Sequence, residues 1–287
     1  MKKHIDENES FISITPKNEL LKSHISYYYF HESYDSNFSK KIIYHPHFVT
    51  GINSYKNVKI IKTDNGREYV PINSNKITHT VTVNKQKSKI VQMNGVFMKI
   101  GIVFNSLGIN NFINVPLSEL VDDTLSFFNY FGEEFNVVVK KVFETNIIEE
   151  KQMLLDDFFL LKHIEFKEEK LINAVELILQ CNDKIRVSDI ANSVNTSRAT
   201  LLRLFKKHLC FSVEEFINVV RFRKVLHDYL NYESKPKLTQ IAIDAHYYDQ
   251  SDFIKRINKI TSVNPKLFFK NVRKIENSQI YWTINKN

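Results

Sequence analysis

Residues 187–206 read VSDIANSVNTSRATLLRLFK and residues 238–258 read LTQIAIDAHYYDQSDFIKRIN, two versions of one pattern with corresponding positions 51 or 52 residues apart. Each version predicts a helix, a short turn and a second helix. A small residue, Ala191 or Ala242, lets the first helix lie close to the second, and Ser197 or Asp249 supplies an oxygen to cap the second. Leu201, Leu204 and Phe205 in one copy, and Phe253 and Ile257 in the other, fall on one helical face and are expected in the core. The carboxyl-terminal part is therefore expected to be all-α, a double helix-turn-helix.

The opposite faces present Arg198, Thr200, Leu202, Arg203, Lys206 and Lys207 in the first copy, and Gln250, Ser251, Ile254, Lys255 and Lys259 in the second. These types suit double-stranded DNA. Arg binds guanine O6 and N7 bidentately, Gln binds adenine, Lys or Thr holds phosphates, and Leu202 or Ile254 could touch thymine methyls. Asp252 is a misfit, because a carboxylate there repels phosphate unless it accepts from cytosine N4. Between the copies, Ser212-Val213-Glu214-Glu215 is a capping-box start. Phe216, Ile217, Val220 and Val225 then form an apolar stripe, with Arg221, Arg223 and Lys224 expected outside. Such a strut would let one chain enter successive major-groove segments about 34 Å apart. A helical bundle with a basic surface is the alternative.

Charge points the same way. Residues 1–166 hold 19 basic and 19 acidic side chains and residues 167–287 hold 21 and 13, so the whole excess of +8 lies in the last 121 residues. A basic region beside a neutral one suits a polyanion partner, since bound Lys and Arg release the counterions condensed on phosphates. The chain of 287 residues, 43% apolar and 25% charged, is long enough for two domains with real cores. It has no long uncharged apolar window, and Met1 to Ser10 is too polar for a signal peptide, so a cytoplasmic protein away from membranes is expected. Cys181 and Cys210 are too few for a disulfide framework.

All six glycines lie in the first 132 residues. From Ser26 to Phe104 the text is β-branched and aromatic runs broken by turn residues, with a hairpin signal at Asp64-Asn65-Gly66 and alternation from Thr78 to Val83. This reads as an antiparallel sheet or barrel. From Leu107 the period changes, and helices are expected around Pro116 to Leu120, Phe135 to Val142 and Glu149 to Leu161. The charged run Glu165 to Lys170 marks a boundary. The fold class expected is α+β in two domains: 1–165, antiparallel β with following helices, and 166–287, the helical reader.

The region 167–272 resembles the AraC/XylS family of transcription regulators. The match is most specific in the second unit, where Ile241-Ala242, Tyr247, Asp249-Gln250-Ser251, Phe253, Val263-Asn264-Pro265 and Phe268 follow the family's closing signature in order. The resemblance implies that Arg198 to Arg203 and Gln250 to Lys255 face bases. It also places Asn195, Cys210, His246 and Ser262 where the family usually has glycine, often at positive φ, and Phe269 where it commonly has Arg. The run Gly101-Ile102-Val103-Phe104 through Leu107-Gly108, Pro116-Leu117, Leu120 and Phe131-Gly132 resembles, more weakly, the family's amino-terminal sensor domains. Those domains are often cupin-like barrels, which implies a small-molecule effector or a homodimer; contact with RNA polymerase is implied in the same way.

Enzyme chemistry is not expected. His45-Pro46-His47 would put two imidazoles on one side of a strand, but no carboxylate follows to complete a cupin metal site, so structural histidines and no metal are expected. Cys181 and Cys210 have no paired histidine and read as buried thiols. Trp282, Tyr27 to Tyr29, Phe127 and Phe128 are expected in the core, and no glycine loop that would cradle a phosphate or cofactor occurs. The reading is a sequence-specific DNA-binding transcription regulator of bacterial type. The alternatives are an architectural DNA binder whose first domain only dimerises, and an enzyme domain tethered to a DNA-binding part.

Overall fold

The β-branched runs of the first half form strands, and the apolar spacing after Leu107 forms helices. The structure, a computed structural model, describes residues 3–6, 8–63, 66–83, 87–122, 125–181, 185–231, 236–244, 249–275 and 280–285. In chain order the first elements are β1 (Lys3–Asp6), β2 (Glu9–Ile14), α1 (Glu19–His24), β3 (Ile25–Ser33), β4 (Ser39–Tyr44), β5 (Thr50–Lys56), β6 (Val58–Thr63), β7 (Gly66–Pro71), β8 (Ile77–Val83), β9 (Lys89–Asn94) and β10 (Phe97–Phe104). Then come α2 (Leu117–Leu120), β11 (Leu125–Phe127), α3 (Gly132–Glu144) and α4 (Ile148–Lys162). The remainder is α5 (Glu169–Gln180), α6 (Val187–Ser193), α7 (Arg198–Leu209), α8 (Val213–Asn231), α9 (Leu238–Asp244), α10 (Gln250–Thr261), α11 (Pro265–Asn271), β12 (Val272–Ile275) and β13 (Ile280–Asn285). Among the described residues no helix is long and apolar enough to cross a membrane.

These elements make two units. The first holds Met1–Lys40, Val49–Val83 and Val91–Lys167, and the second holds Lys41–Phe48, Asn84–Ile90 and Glu168–Asn287. The second thus takes in two short segments from within the part expected to be wholly the β domain. Strands β1, β2 and β11, helix α1 and the β12–β13 pair were not anticipated.

In the first unit seven strands pair antiparallel in the order β1, β2, β3, β10, β5, β8, β11. Residues directly opposite each other project to the same side, so the register fixes both faces. Ile100 and Ile102 of β10 oppose Phe30 and Tyr28 of β3, and this face packs on α4 through Phe159, 6.5 Å from Tyr28 and 5.6 Å from Phe104 between ring centres. Asp156 of α4, buried, accepts from Tyr28 Oη at 2.9 Å and from the backbone N–H of Lys17 at 2.8 Å. It thereby ties helix to sheet. Strands β6 and β7 form the expected hairpin, with Thr63 opposite Gly66; Asp64 and Asn65 lie outside the described residues. Phe128 is buried, but Phe127, next to it on the other side of the β11 edge, is exposed and not core.

Gly101 marks the closest approach in the sheet. The Tyr29 ring lies across it, so a side-chain methyl there would overlap the ring, whose Oη donates to Asn53 Oδ1 at 2.5 Å.

In the second unit, α6 and α7 make the first helix-turn-helix and α9 and α10 the second, with α8 between. Leu201, Leu204 and Phe205 are buried against α5, α6 and α8; Phe253 and Ile257 are buried with Phe222, Leu226, Tyr229, Phe268 and Phe269. The strand β4 pairs with β13, Ile43 opposite Thr283. The side chain of Trp282 lies outside the described residues.

Three of the four positions where the related family has glycine take left-handed backbone: Asn195 at φ 48°, Cys210 at 61° and Ser262 at 58°. His246 and Tyr247 lie outside the described residues. Cys210 and Ser262 end α7 and α10 as their C-caps, each donating its N–H back into the helix. An L side chain in this conformation costs roughly 1–2 kcal/mol, which Gly avoids.

Ser262→Gly should raise stability by about 0.5–1 kcal/mol and Ser262→Val should lower it by about 1–2 kcal/mol. Urea midpoints at unchanged slope measure both, and a Gly variant no more stable than the parent would remove the strain argument. Gly101→Ala should cost about 1–3 kcal/mol by overpacking Tyr29; a thermal midpoint equal to the parent's would show that the ring is free to move aside.

Candidate nucleic-acid interface

Each reading helix is started by the side chain that its sequence offers. Ser197 Oγ accepts from the N–H of Thr200 at 3.0 Å, and Asp249 Oδ1 accepts from the N–H of Asp252 at 2.7 Å. The linking helix has its capping box: Ser212 N–H donates to Glu215 Oε2 at 2.7 Å, and Glu215 N–H donates to Ser212 Oγ at 3.2 Å. Ala191 and Ala242 are buried where α6 and α9 approach their partners.

On α7, Arg198, Leu202, Arg203 and Lys206 are exposed, and Thr200 and Lys207 are half-buried. The Thr200 hydroxyl is already engaged by Ser197 Oγ at 3.0 Å, so in the free protein it serves the cap. On α10, Gln250, Ser251, Lys255 and Lys259 are exposed. Ile254 is half-buried and leans on the core formed with α8 and α11, which leaves less of it for a thymine methyl.

Asp252 finds its explanation in a residue the sequence reading passed over. Arg256, one turn on, donates from Nε to both Asp252 oxygens at 3.0 and 3.1 Å, and its Nη1 reaches Asn218 Oδ1 on α8 at 3.4 Å. The carboxylate is neutralised within its own helix, so it does not face an incoming phosphate uncompensated. The spacing i to i+4 was visible in the sequence.

Arg223 corrects the expectation for α8. It was placed outside with Arg221 and Lys224, yet Lys224 is exposed, Arg221 is half-buried and Arg223 is buried, 7% exposed. The reason is that α8 is covered on more sides than a single stripe allows. His45 is buried and His47 half-buried in the same unit, after the end of β4 and not within a strand. His45 Nδ1 meets Ser88 Oγ at 2.7 Å, and its ring stands edge-on to Phe268 at 4.9 Å. Burial, with the Arg223 charge adding, holds the His45 imidazole down to about 3 and that of His47 well below the usual range. Both are neutral near pH 7. Among the described residues no three His, Cys, Asp or Glu side chains converge as metal ligands. Cys181 and Cys210 sit at helix C-caps and are half-buried, not fully buried as expected.

The first unit holds a polar face that sequence reading did not find. Lys99 opposes His31 and Tyr55, and Gly101 opposes Tyr29 and Asn53, so these side chains share one face of the sheet. The buried Lys99 ammonium lies 5.0 Å from the Tyr29 ring centre and 5.3 Å from that of Tyr55, and burial lowers its pKa to about 7. Nearby, Glu9 bonds His31 and Lys40; burial would raise its carboxyl, but these partners outweigh that and hold it low. Alternation along β10 (FMKIGIVF) allowed either face to be inside, which is why Lys99 was not singled out.

Residues 190–271 match the family model described as a helix-turn-helix domain. The Msm operon regulatory protein of Streptococcus mutans serotype c is 28% identical over 120 residues, 40% of this chain and 42% of that protein. The chain thus spans about two fifths of the length of the curated relative it matches. Among solved structures, ToxT from Vibrio cholerae is 14% identical with a TM-score of 0.43, covering 91% of this chain and 97% of that one. A transcriptional regulator with an AraC-type DNA-binding domain, from Chromobacterium violaceum, is 21% identical with a TM-score of 0.33, covering 36% and 92%. With two capped units on one linking helix and the closing signature from Asp249 to Phe268, the carboxyl-terminal region of this chain is a helix-turn-helix domain of the AraC type.

Proposed function

We propose that this chain is a sequence-specific DNA-binding transcription regulator, in which α7 and α10 enter neighbouring major-groove segments and α8 sets the distance between them. One observation carries the reading. Both second helices are capped at their N-termini, buried on one face, and left with exposed Arg, Gln and Lys side chains on the other. The 19 residues of α8 make a strut about 28 Å long, comparable with one turn of duplex. The base-reading roles go to Arg198, Leu202, Arg203, Gln250, Ser251 and Lys255, with Lys206, Lys207 and Lys259 on phosphates.

Control by a small effector, pairing of two chains and contact with RNA polymerase belong to the same proposal. What supports an effector is the polar face of the first unit: a lysine buried between two tyrosine rings suits an anionic or hydroxylated small molecule better than it suits a purely apolar core.

Selection of duplexes from a random pool by the full chain tests the reading. A recovered motif with two half-sites one turn apart is expected; recovery of no motif at salt that suppresses weak binding would favour an architectural binder. On the selected site, Arg203→Ala should cost about 1–3 kcal/mol and relax preference at one base pair, while Lys206→Ala should weaken all sequences alike and lower the salt slope by about 1. Binding of the Arg203→Ala variant as tight as the parent's would remove Arg203 from the reading set.

A further inference from the structure

Helix α1 ends at His24 and His163 follows the last residue of α4, and there the two imidazoles meet: His163 Nε2 lies 3.2 Å from His24 Nε2. Their ring centres are 5.2 Å apart at an interplanar angle of 23°. The nitrogens are much closer than the ring centres, so each ring turns its Nε2 toward the other. Phe112 stands edge-on to both rings at 5.9 Å and holds their orientation. The backbones are fixed as well. The His24 carbonyl accepts from the Asn105 N–H at 2.8 Å, and Gly108 packs on that carbonyl so closely that a Cβ there would overlap it. The Ile164 N–H, next to His163, donates to the Asn111 carbonyl at 2.8 Å. All of these residues belong to the first unit, and both histidines are half-buried, so water reaches them.

We propose that His24 and His163 form a binding site for one divalent transition-metal ion of the zinc type, held by the two Nε2 atoms and completed by water. Two nitrogens about 2.0–2.1 Å from one ion at a tetrahedral angle lie about 3.3–3.4 Å apart. The 3.2 Å between these atoms is close to that, so an ion asks for only small turns of the two rings. Imidazole nitrogen favours zinc, nickel or copper over calcium and magnesium, which prefer oxygen. The end of α4 adds to this, because the last carbonyls of a 15-residue helix carry partial negative charge. Among the described residues no group of three His, Cys, Asp or Glu side chains converges, so the site is open and suits reversible binding, unlike a closed structural centre.

The hydrogen count balances. Between two neutral rings, one Nε2–H faces the lone pair of the other. On binding, that hydrogen moves to the Nδ1 of its own ring and both Nε2 lone pairs go to the ion, with no proton gained or lost by the pair. The site lies just before the chain passes to the second unit at Glu168. No residue of the DNA reader takes part, so the proposal stands apart from the regulator reading.

Titration of Zn²⁺ into the full chain, followed by calorimetry and by the imidazole nitrogen resonances, tests the site. The Nε2 signals of His24 and His163 should shift together, at lower zinc concentration than those of any other histidine. His24→Gln and His163→Gln should each weaken the tightest binding step by about tenfold or more, since loss of even an outer-shell partner costs about 10–100-fold. His227→Gln, an exposed position on α8, should leave that step unchanged. Mg²⁺ at the same concentration should move neither signal. A tightest step that survives either substitution, or zinc that shifts other histidines first, would overturn the proposal, as would a chain that takes up no zinc at millimolar concentration. Should a Gln variant fail to fold, the resonances of the parent decide.

Discussion

Helix α8 has to be buried on most of its circumference, and the rest of the helical unit is arranged around that constraint. Phe216 faces Phe205 and Phe211 of the first helix-turn-helix, while Phe222 and Tyr229 face Phe268 and Phe269 beside the second. Each buried aromatic side chain contributes about 1.5–3 kcal/mol, so neither reading unit can shift on α8 without exposing surface that stabilises it. Spacing between the two probes is therefore a property of packing and not of a hinge. The same constraint explains Arg223: a residue on a helix wrapped from several sides has few directions that lead to water.

The turns follow from the same geometry. A helix whose last turn must stop short, so that its exposed face stays free for a partner, needs a residue that reverses the chain at once, and left-handed backbone does this in one step. Cys210 and Ser262 accept that conformation at the ends of α7 and α10 without being glycine. Packing of Leu209 and Phe211 on either side of Cys210 holds the chain in place. Tertiary contacts, not local preference, fix these two turns.

This separates what the sequence makes legible from what it does not. Periodicity, caps and the repeat were readable because each is local: Ser197, Ser212 and Asp249 do what their neighbours three residues on allow. The strands from Ser26 to Phe104 were readable for the same reason. The burial of Arg223, the bond from Ser88 to Ile260, and the gathering of Lys99, Tyr29 and Asn53 were not, since each depends on partners tens of residues or more away in sequence. Asp252 lies between these cases. Its partner Arg256 is four residues on and was available to inspection, yet a residue judged only for contact with DNA is easily missed as a contact of its own helix.

The first unit poses the sharper physical question, because its sheet has one face that helices cover with apolar side chains and another that keeps charge out of water. The buried Lys99 ammonium lies against two aromatic faces, which contribute about 1–2 kcal/mol between them. Glu9 of β2 and His31 of β3 lie on the same sheet, with Lys40 of β4 reaching Glu9, so the polarity is a sustained feature and not a single misplaced residue. A face built only for stability would do better with Leu or Met at these positions, at no cost in desolvation. The polarity retained on this face is what supports the proposal that the β-rich unit recognises a small molecule.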